Sequence, residues 1–159
     1  MTVTVELELQ SFVLLRLGER RFAVAASQIA ELVAPSRVFQ FPHRTARIEG
    51  VILRRGRIVP VCDVAKTLIG KTLIARRLYL VAVRQYAAQN EWVALPVTGE
   101  CELITSEMTA AGETDAPHVA GWLSHDGDVI EVLNIAAITP GPGEMGAEFE
   151  AQEVVEAQR

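Results

Sequence analysis

The chain has 159 residues, half of them apolar, and a formal net charge of −5. That length fits one ordinary domain or two very small ones sharing a core, because the surface buried on folding becomes marginal below roughly 60 residues. No run approaches the ~18 to 20 consecutive apolar residues that cross a bilayer, Met1 to Glu6 carry no basic region and apolar signal core, and Cys62 and Cys101 have no CxxC partner, so a soluble cytoplasmic protein without a disulfide framework is expected.

Charge is divided along the chain. Residues 11–84 hold 14 Lys and Arg against four acids (Glu19, Glu31, Glu49, Asp63), whereas residues 85–140 hold nine acids and no Lys or Arg. Oppositely charged surfaces steer a protein toward partners or toward its own copies, unless the fold intermixes the two halves and blunts the dipole.

Taken in order, residues 1–10 alternate Val3, Val5, Leu7 and Leu9 with Thr and Glu, the period of an edge strand or terminal arm. Phe12 to Leu17, the turn Gly18-Glu19-Arg20, and Arg21 to Ala25 form a first hairpin. Ser27 can cap a helical turn before Ile29 to Val33, which reads as a strand. Pro35 and Pro42 bracket an irregular passage that leads into GVILRRGRIVPVCDV, Gly50 to Val64. There, two β-branched runs flank an Arg-rich turn closed by Gly56, and Asp63 is suited to capping a short helix that Gly70 stops. Leu78 to Val83 and Trp92 to Leu95 are strands joined by a turn at Ala88-Gln89-Asn90, with Pro96 expected to put the second at an edge or bulge. Glu100 to Ile104 is a further strand, Thr105 to Met108 a turn of helix, and Thr109 to His118 a polar loop. A last hairpin turns at His125-Asp126-Gly127-Asp128, and Asn134 caps Ile135 to Ile138. The Glu-rich segment 140–159 reads as a disordered tail or a short amphipathic helix through Phe149, Val154 and Val155.

One offset recurs. Gly50 and Gly121, Gly56 and Gly127, and Asp63 and Asn134 are each 71 positions apart, as are Glu31 and Glu102. Each half runs hairpin, short strand, loop, hairpin, cap, helical turn, which reads as a duplication. Units of about five short strands hide their edges best by curling, so the expected fold is mostly β: two packed small five-stranded SH3-like β-barrels with a groove between them.

The inventory for catalysis is thin. His43, His118 and His125 have no metal-ligand spacing, no phosphate-binding loop follows a strand, and Ser27, Ser36 and Ser124 lack a nucleophile elbow, so neither enzyme, metal nor cofactor is expected. The alternative is a small-barrel nucleic-acid-binding module using the basic first half, including Arg37, Arg44, Arg47, Arg54, Arg55, Arg57, Arg76 and Arg77. Against it stand the acidic second half and the lack of aromatic residues interleaved with those arginines for base stacking.

The stretch from Gly50 to Val64 closely resembles the signature of the CheW-like family of bacterial chemotaxis adaptors: a strand, an Asn-Leu-Arg-Gly turn, an Ile-Val-Pro strand and an Asp-Leu cap. Phe12 to Ala25, Gln28 to Leu32, Trp92 to Leu103 and Gly121 to Ile138 extend the likeness over residues 11–139, leaving 1–10 as an arm and 140–159 as a tail. The resemblance implies a non-catalytic scaffold that couples methyl-accepting chemoreceptors to a CheA-type histidine kinase, recruited to receptor arrays without inserting in the membrane. It places the family's ionic pair on Glu31 and Arg55, and the partner-binding set on Glu31, Arg54, Arg55 and Gly56. Gly50, Asp63, Gly121, Gly127 and Asn134 are the turn and cap positions. Leu53, Arg54 and Thr98 stand where the family usually has Asn, Leu and Asp.

Overall fold

Phe12, Val13, Leu14 and Leu15 are all buried, an unbroken apolar run where a strand with one wet face would alternate. In the computed structural model, which describes residues 9–34, 37–40, 48–73, 75–86 and 89–140, these four lie on β1 (Gln10–Leu17). Phe12 and Leu14 enter one core while Val13 and Leu15 enter another. β1 therefore separates two cores.

The remaining elements are β2 (Arg20–Ala25), a 3-10 turn (Ala26–Gln28), β3 (Ile29–Val33), β4 (Gly50–Arg54), β5 (Arg57–Val61), α1 (Ala65–Ile69), β6 (Leu78–Tyr86), β7 (Gln89–Val97), β8 (Glu102–Ser106), β9 (Thr109–Ala110), β10 (Val119–His125), β11 (Asp128–Leu133) and α2 (Ile135–Ile138). They form two packed sheets, in the orders β8-β1-β2-β11-β10-β9 and β3-β6-β7-β5-β4. Each sheet curls around its own core: Phe12, Leu14, Ala23, Ile104, Leu123, Ile130 and Val132 in the first, and Val33, Ile52, Val59, Val61, Tyr79, Val81 and Ala94 in the second. Ala23, Ile104, Leu123, Ile130 and Val132 stand at the 71-residue offset from Ala94, Val33, Ile52, Val59 and Val61. The duplication is thus repeated in the packing.

The halves are exchanged. The hairpin β1–β2 joins the sheet built from the second half of the chain, and β6–β7 joins the sheet built from the first. One parallel contact seats each hairpin, Val132 beside Ala23 and Val61 beside Ala94, again 71 residues apart. Leu15, Leu17, Phe22 and Val24 of one hairpin meet Leu80, Ala82, Val93 and Leu95 of the other in a third core, closed by Val64, Ala65 and Leu68 around α1 and Ile135 and Ile138 of α2. The exchange also carries Arg20 and Arg21 to the acidic sheet, where Arg20 meets Glu131 at 3.6 Å and Arg21 meets Asp128 at 2.7 Å. The charge division along the chain is neutralised there.

Three local expectations are corrected. Thr105 and Ser106 do not start a helical turn but continue β8, because pairing with Ser11 and Gln10 of β1 outweighs their capping preference. Thr109 and Ala110 are not loop but β9, held against Trp122 and Gly121. β7 is no edge: it lies between β6 and β5, with its contact to β5 at Ala94, two residues before Pro96. The expectations for residues 1–8, for His43 to Arg47, for Ala88 and for 141–159 fall outside the described residues.

Candidate functional site

The turn between β4 and β5 fixes the site. Arg55 and Gly56 have φ of +52° and +72°, the two positive values that a type I′ hairpin needs. Arg54 and Arg57 are therefore the last paired residues, and Leu53 pairs with Ile58 behind them. Side chains alternate along a strand, so Arg54 shares the inward face with the barrel-core residue Ile52, while Leu53 points out.

Glu31 completes the arrangement. It pairs in register with Val81, a barrel-core residue, so its carboxylate lies at the mouth of that barrel. β3 and β4 are the two ends of their sheet, and Glu31 reaches across the seam between them: Arg54 Nε donates to Oε1 at 2.7 Å and Nη2 to Oε2 at 3.1 Å. A bidentate guanidinium clasp of this kind fixes orientation as well as distance. The Arg54 hydrogen bonds hold the Glu31 carboxyl below the usual carboxylate range, against the opposing effect of burial. Glu31 raises the Arg54 guanidinium in turn.

The ionic pair expected between Glu31 and Arg55 is present, but Arg54 makes the closer, hydrogen-bonded contacts. Arg55 lies 3.6 Å from Glu31 and remains 70% exposed, because its left-handed turn position carries the side chain out of the strand's alternation. Counting back from a two-residue turn selects Arg54 as the inward of the two arginines. Arg57, inward like Arg54, stacks its guanidinium over the Trp92 ring at 4.5 Å. Stacking and the Glu31 clasp together keep two directly opposed arginines apart in function, where like charges across a ladder otherwise destabilise it.

The outer face of the same hairpin is apolar. Leu53 is 59% and Ile58 41% exposed, side by side in register. Phe39, also partly exposed and covered on one side by Arg37 at 4.8 Å, pairs with Val51 at the hairpin's base. Val51 belongs to the core between the two barrels, so the exposed row continues that core outward toward the Arg55 tip.

The base of the hairpin holds a network that sequence reading missed. Arg76 donates to both oxygens of Glu49, the Nη2 bond measuring 2.7 Å, and Nη2 also reaches Asp63 Oδ2 at 3.3 Å. Glu49 chiefly holds Arg76 above its ordinary value despite partial burial. Asp63 Oδ1 accepts from the Ala65 amide at 3.0 Å, so Asp63 does cap α1, from one residue before the formal cap position. Asn134 occupies the equivalent cap of α2, but its side chain makes no capping bond; its backbone carbonyl accepts from Ala137 and Ile138 instead. Gly50 and Gly121 serve close approach rather than turning: a Cβ on either would lie 2.5 Å from a backbone carbonyl, of Phe39 and Thr109 respectively. Thr98 accepts from the Gly18 amide at 3.0 Å and donates to the Arg16 carbonyl at 3.1 Å, a double role that an ionised Asp could not fill.

Among the described residues no group of three or more His, Cys, Asp or Glu is placed to hold a metal ion. His118 contacts Glu131 at 3.0 Å and His125 contacts Asp126 at 3.2 Å. Cys62 is buried between the barrels, and burial pushes the Cys101 thiol up. Two exchanged, curled sheets with one ion-clasped hairpin are the arrangement to be placed, and the CheW-like domain family matches residues 11–142. The chain belongs to that family. Among solved structures, it is similar to the scaffolding protein TtCheW from Thermoanaerobacter tengcongensis, with 18% identity, a TM-score of 0.70, and coverage of 90% of this chain and 96% of the other. No curated protein matches the chain. CheW-family proteins are non-catalytic scaffolds, which accords with a site built of ion pairs and exposed apolar side chains.

Proposed function

We propose that this protein is a chemosensory scaffold that couples methyl-accepting chemoreceptors to a CheA-type histidine kinase, working in the cytoplasm at receptor arrays. The observation that carries the assignment of its contact surface is the outward pair Leu53 and Ile58 on a hairpin clasped by Glu31 and Arg54. Exposed apolar side chains on a rigid support bind without a large ordering cost, and a partner burying each would gain on the order of 1 to 2 kcal/mol, since full burial of such a side chain contributes roughly 1.5 to 3 kcal/mol. Arg55 at the tip sets orientation by charge. Membership of the CheW-like family and the likeness to a scaffolding protein support the reading. Among the described residues no helix is long and apolar enough to cross a membrane.

The test is capture of the kinase or receptor encoded with this protein by the Leu53→Glu variant. Placing a carboxylate in the apolar row should weaken capture at least about 10-fold, the loss of about 1.4 kcal/mol or more. Because Leu53 is exposed, the melting temperature should stay within about 3 °C of the parent. Undiminished capture would remove this face from the partner surface.

A further inference from the structure

The arginines of this protein are not equally matched. Arg20 and Arg77 each meet one carboxylate, and Arg21 and Arg76 each meet two. On the β4–β5 hairpin, by contrast, Arg54 and Arg55 share the single carboxylate Glu31 and Arg57 lies over the Trp92 ring, beside the exposed row of Leu53, Ile58 and Phe39. This is the one place among the described residues where excess positive charge borders exposed apolar surface on a single element.

Residues 141–159, outside the described part, have the complementary composition: Glu144, Glu148, Glu150, Glu153 and Glu156 against Arg159 alone, interspersed with Phe149, Val154 and Val155. Their point of departure is also set. Arg84 on β6, a strand of the hairpin's own barrel, donates to Thr139 Oγ1 at 2.9 Å and to the Pro140 carbonyl, so the segment leaves from that barrel although the elements just before it belong to the other. Nineteen residues can span at most roughly 65 Å extended, whereas a compact domain of this size has a radius of gyration of about 14 Å. Reach is not limiting. The other hairpin offers a poor alternative, since its turn carries Asp126 and Asp128 and would repel the segment.

We infer that the acidic-apolar segment 144–156 docks on the outer face of the β4–β5 hairpin of its own chain, occupying the surface that the partner must take. Glutamates meet Arg55 at the tip, and Phe149, Val154 and Val155 cover Leu53, Ile58 and Phe39. The consequence of that competition rests on the reading of this face as the partner surface; the docking itself does not. A segment tethered beside its site acts at millimolar effective concentration, so weak contacts suffice to hold it there.

The experiment uses the full chain and its triple variant Glu148→Lys/Glu150→Lys/Glu153→Lys, followed by methyl-resolved NMR. Docking predicts that the Leu53 and Ile58 methyl signals differ between the two proteins, while Leu123 and Ile130, buried inside the other barrel, do not. It also predicts that raising salt from about 0.05 to about 0.5 M moves the parent's signals toward the variant's, as the pairing is screened. Both effects must be independent of protein concentration. Unchanged Leu53 and Ile58 signals overturn the docking, and a concentration-dependent difference overturns it in favour of contact between copies. The variant should then capture its kinase or receptor about 3- to 10-fold more tightly. If the signals move but capture does not, the docking stands and the assignment of the partner surface fails.

Discussion

The hairpins β4–β5 and β10–β11 have the same geometry and opposite chemistry. Arg55-Gly56 and Asp126-Gly127 share a pair of positive φ angles, and Gly50 and Gly121 both admit a neighbouring carbonyl. Yet the first turn reads Leu53-Arg54-Arg55-Gly56 and the second Ser124-His125-Asp126-Gly127. Glu31 has its counterpart in Glu102, but Arg54 has His125, which contacts Asp126 instead. What both copies keep is required by the fold. What one copy alone carries, the clasp and the exposed Leu53, is free to serve recognition.

The largest expected effect tests the shared part. An alanine Cβ at Gly50 or Gly121 would sit 2.5 Å from a backbone carbonyl that pairs with the hairpin's base. Overpacking of this kind costs about 2 to 3 kcal/mol, more than the roughly 0.4 to 1 kcal/mol that Gly→Ala gains from the unfolded chain. Gly50→Ala and Gly121→Ala should therefore lower stability to urea by similar amounts, about 2 kcal/mol each. A large loss at one site and none at the other would break the equivalence of the two copies.

Much of this equivalence was readable in the sequence, and the limits are physical. The spacing of Gly50, Gly56 and Asp63 to Gly121, Gly127 and Asn134 marks the repeat because turns and close approaches restrict residue type whatever the neighbours are. The exchange of hairpins was not readable, since β1 pairs with β2 identically whichever sheet the hairpin completes; only the distant contacts to Glu102 to Ser106 and to Glu131 and Val132 decide it. β9 was missed because two residues carry no period, and its pairing depends on space at Gly121. That Arg54 is the closer of the two Glu31 partners had a usable signal. Strand alternation with a two-residue turn puts Arg54 inward and lifts Arg55 out of the ladder.

A smaller effect separates the two turns. Both Arg55 and Asp126 hold φ near +50°, a region that Asp and Asn tolerate and long side chains do not. Arg55→Asn should stabilise the protein by about 0.5 to 1 kcal/mol, because the relief of turn strain outweighs the loss of an exposed, solvent-screened contact to Glu31. Asp126→Asn should change stability little. If partner capture falls in Arg55→Asn while stability rises, the strain is retained at this turn for what Arg55 does in binding; a destabilised Arg55→Asn would mean that the arginine is structural.

The smallest effect lies in acid and concerns the clasp that the second copy lacks. Glu31 has its carboxyl lowered from 4.5, chiefly by the Arg54 hydrogen bonds. A group whose folded value is lowered contributes stability above its unfolded value and loses it as pH falls through the folded one. The parent should therefore melt above Arg54→Gln by a constant margin from neutral pH down to about 5, and the margin should close progressively below 4.5, as Glu31 takes up its proton. Carboxyl-carbon NMR should show Glu31 titrating nearer 4.5 in the variant, with Arg55 providing the remaining, weaker influence. A Glu31 titration unmoved by Arg54→Gln would transfer the clasp to Arg55, and with it the claim that strand parity, not turn position, selects the residue that closes the barrel.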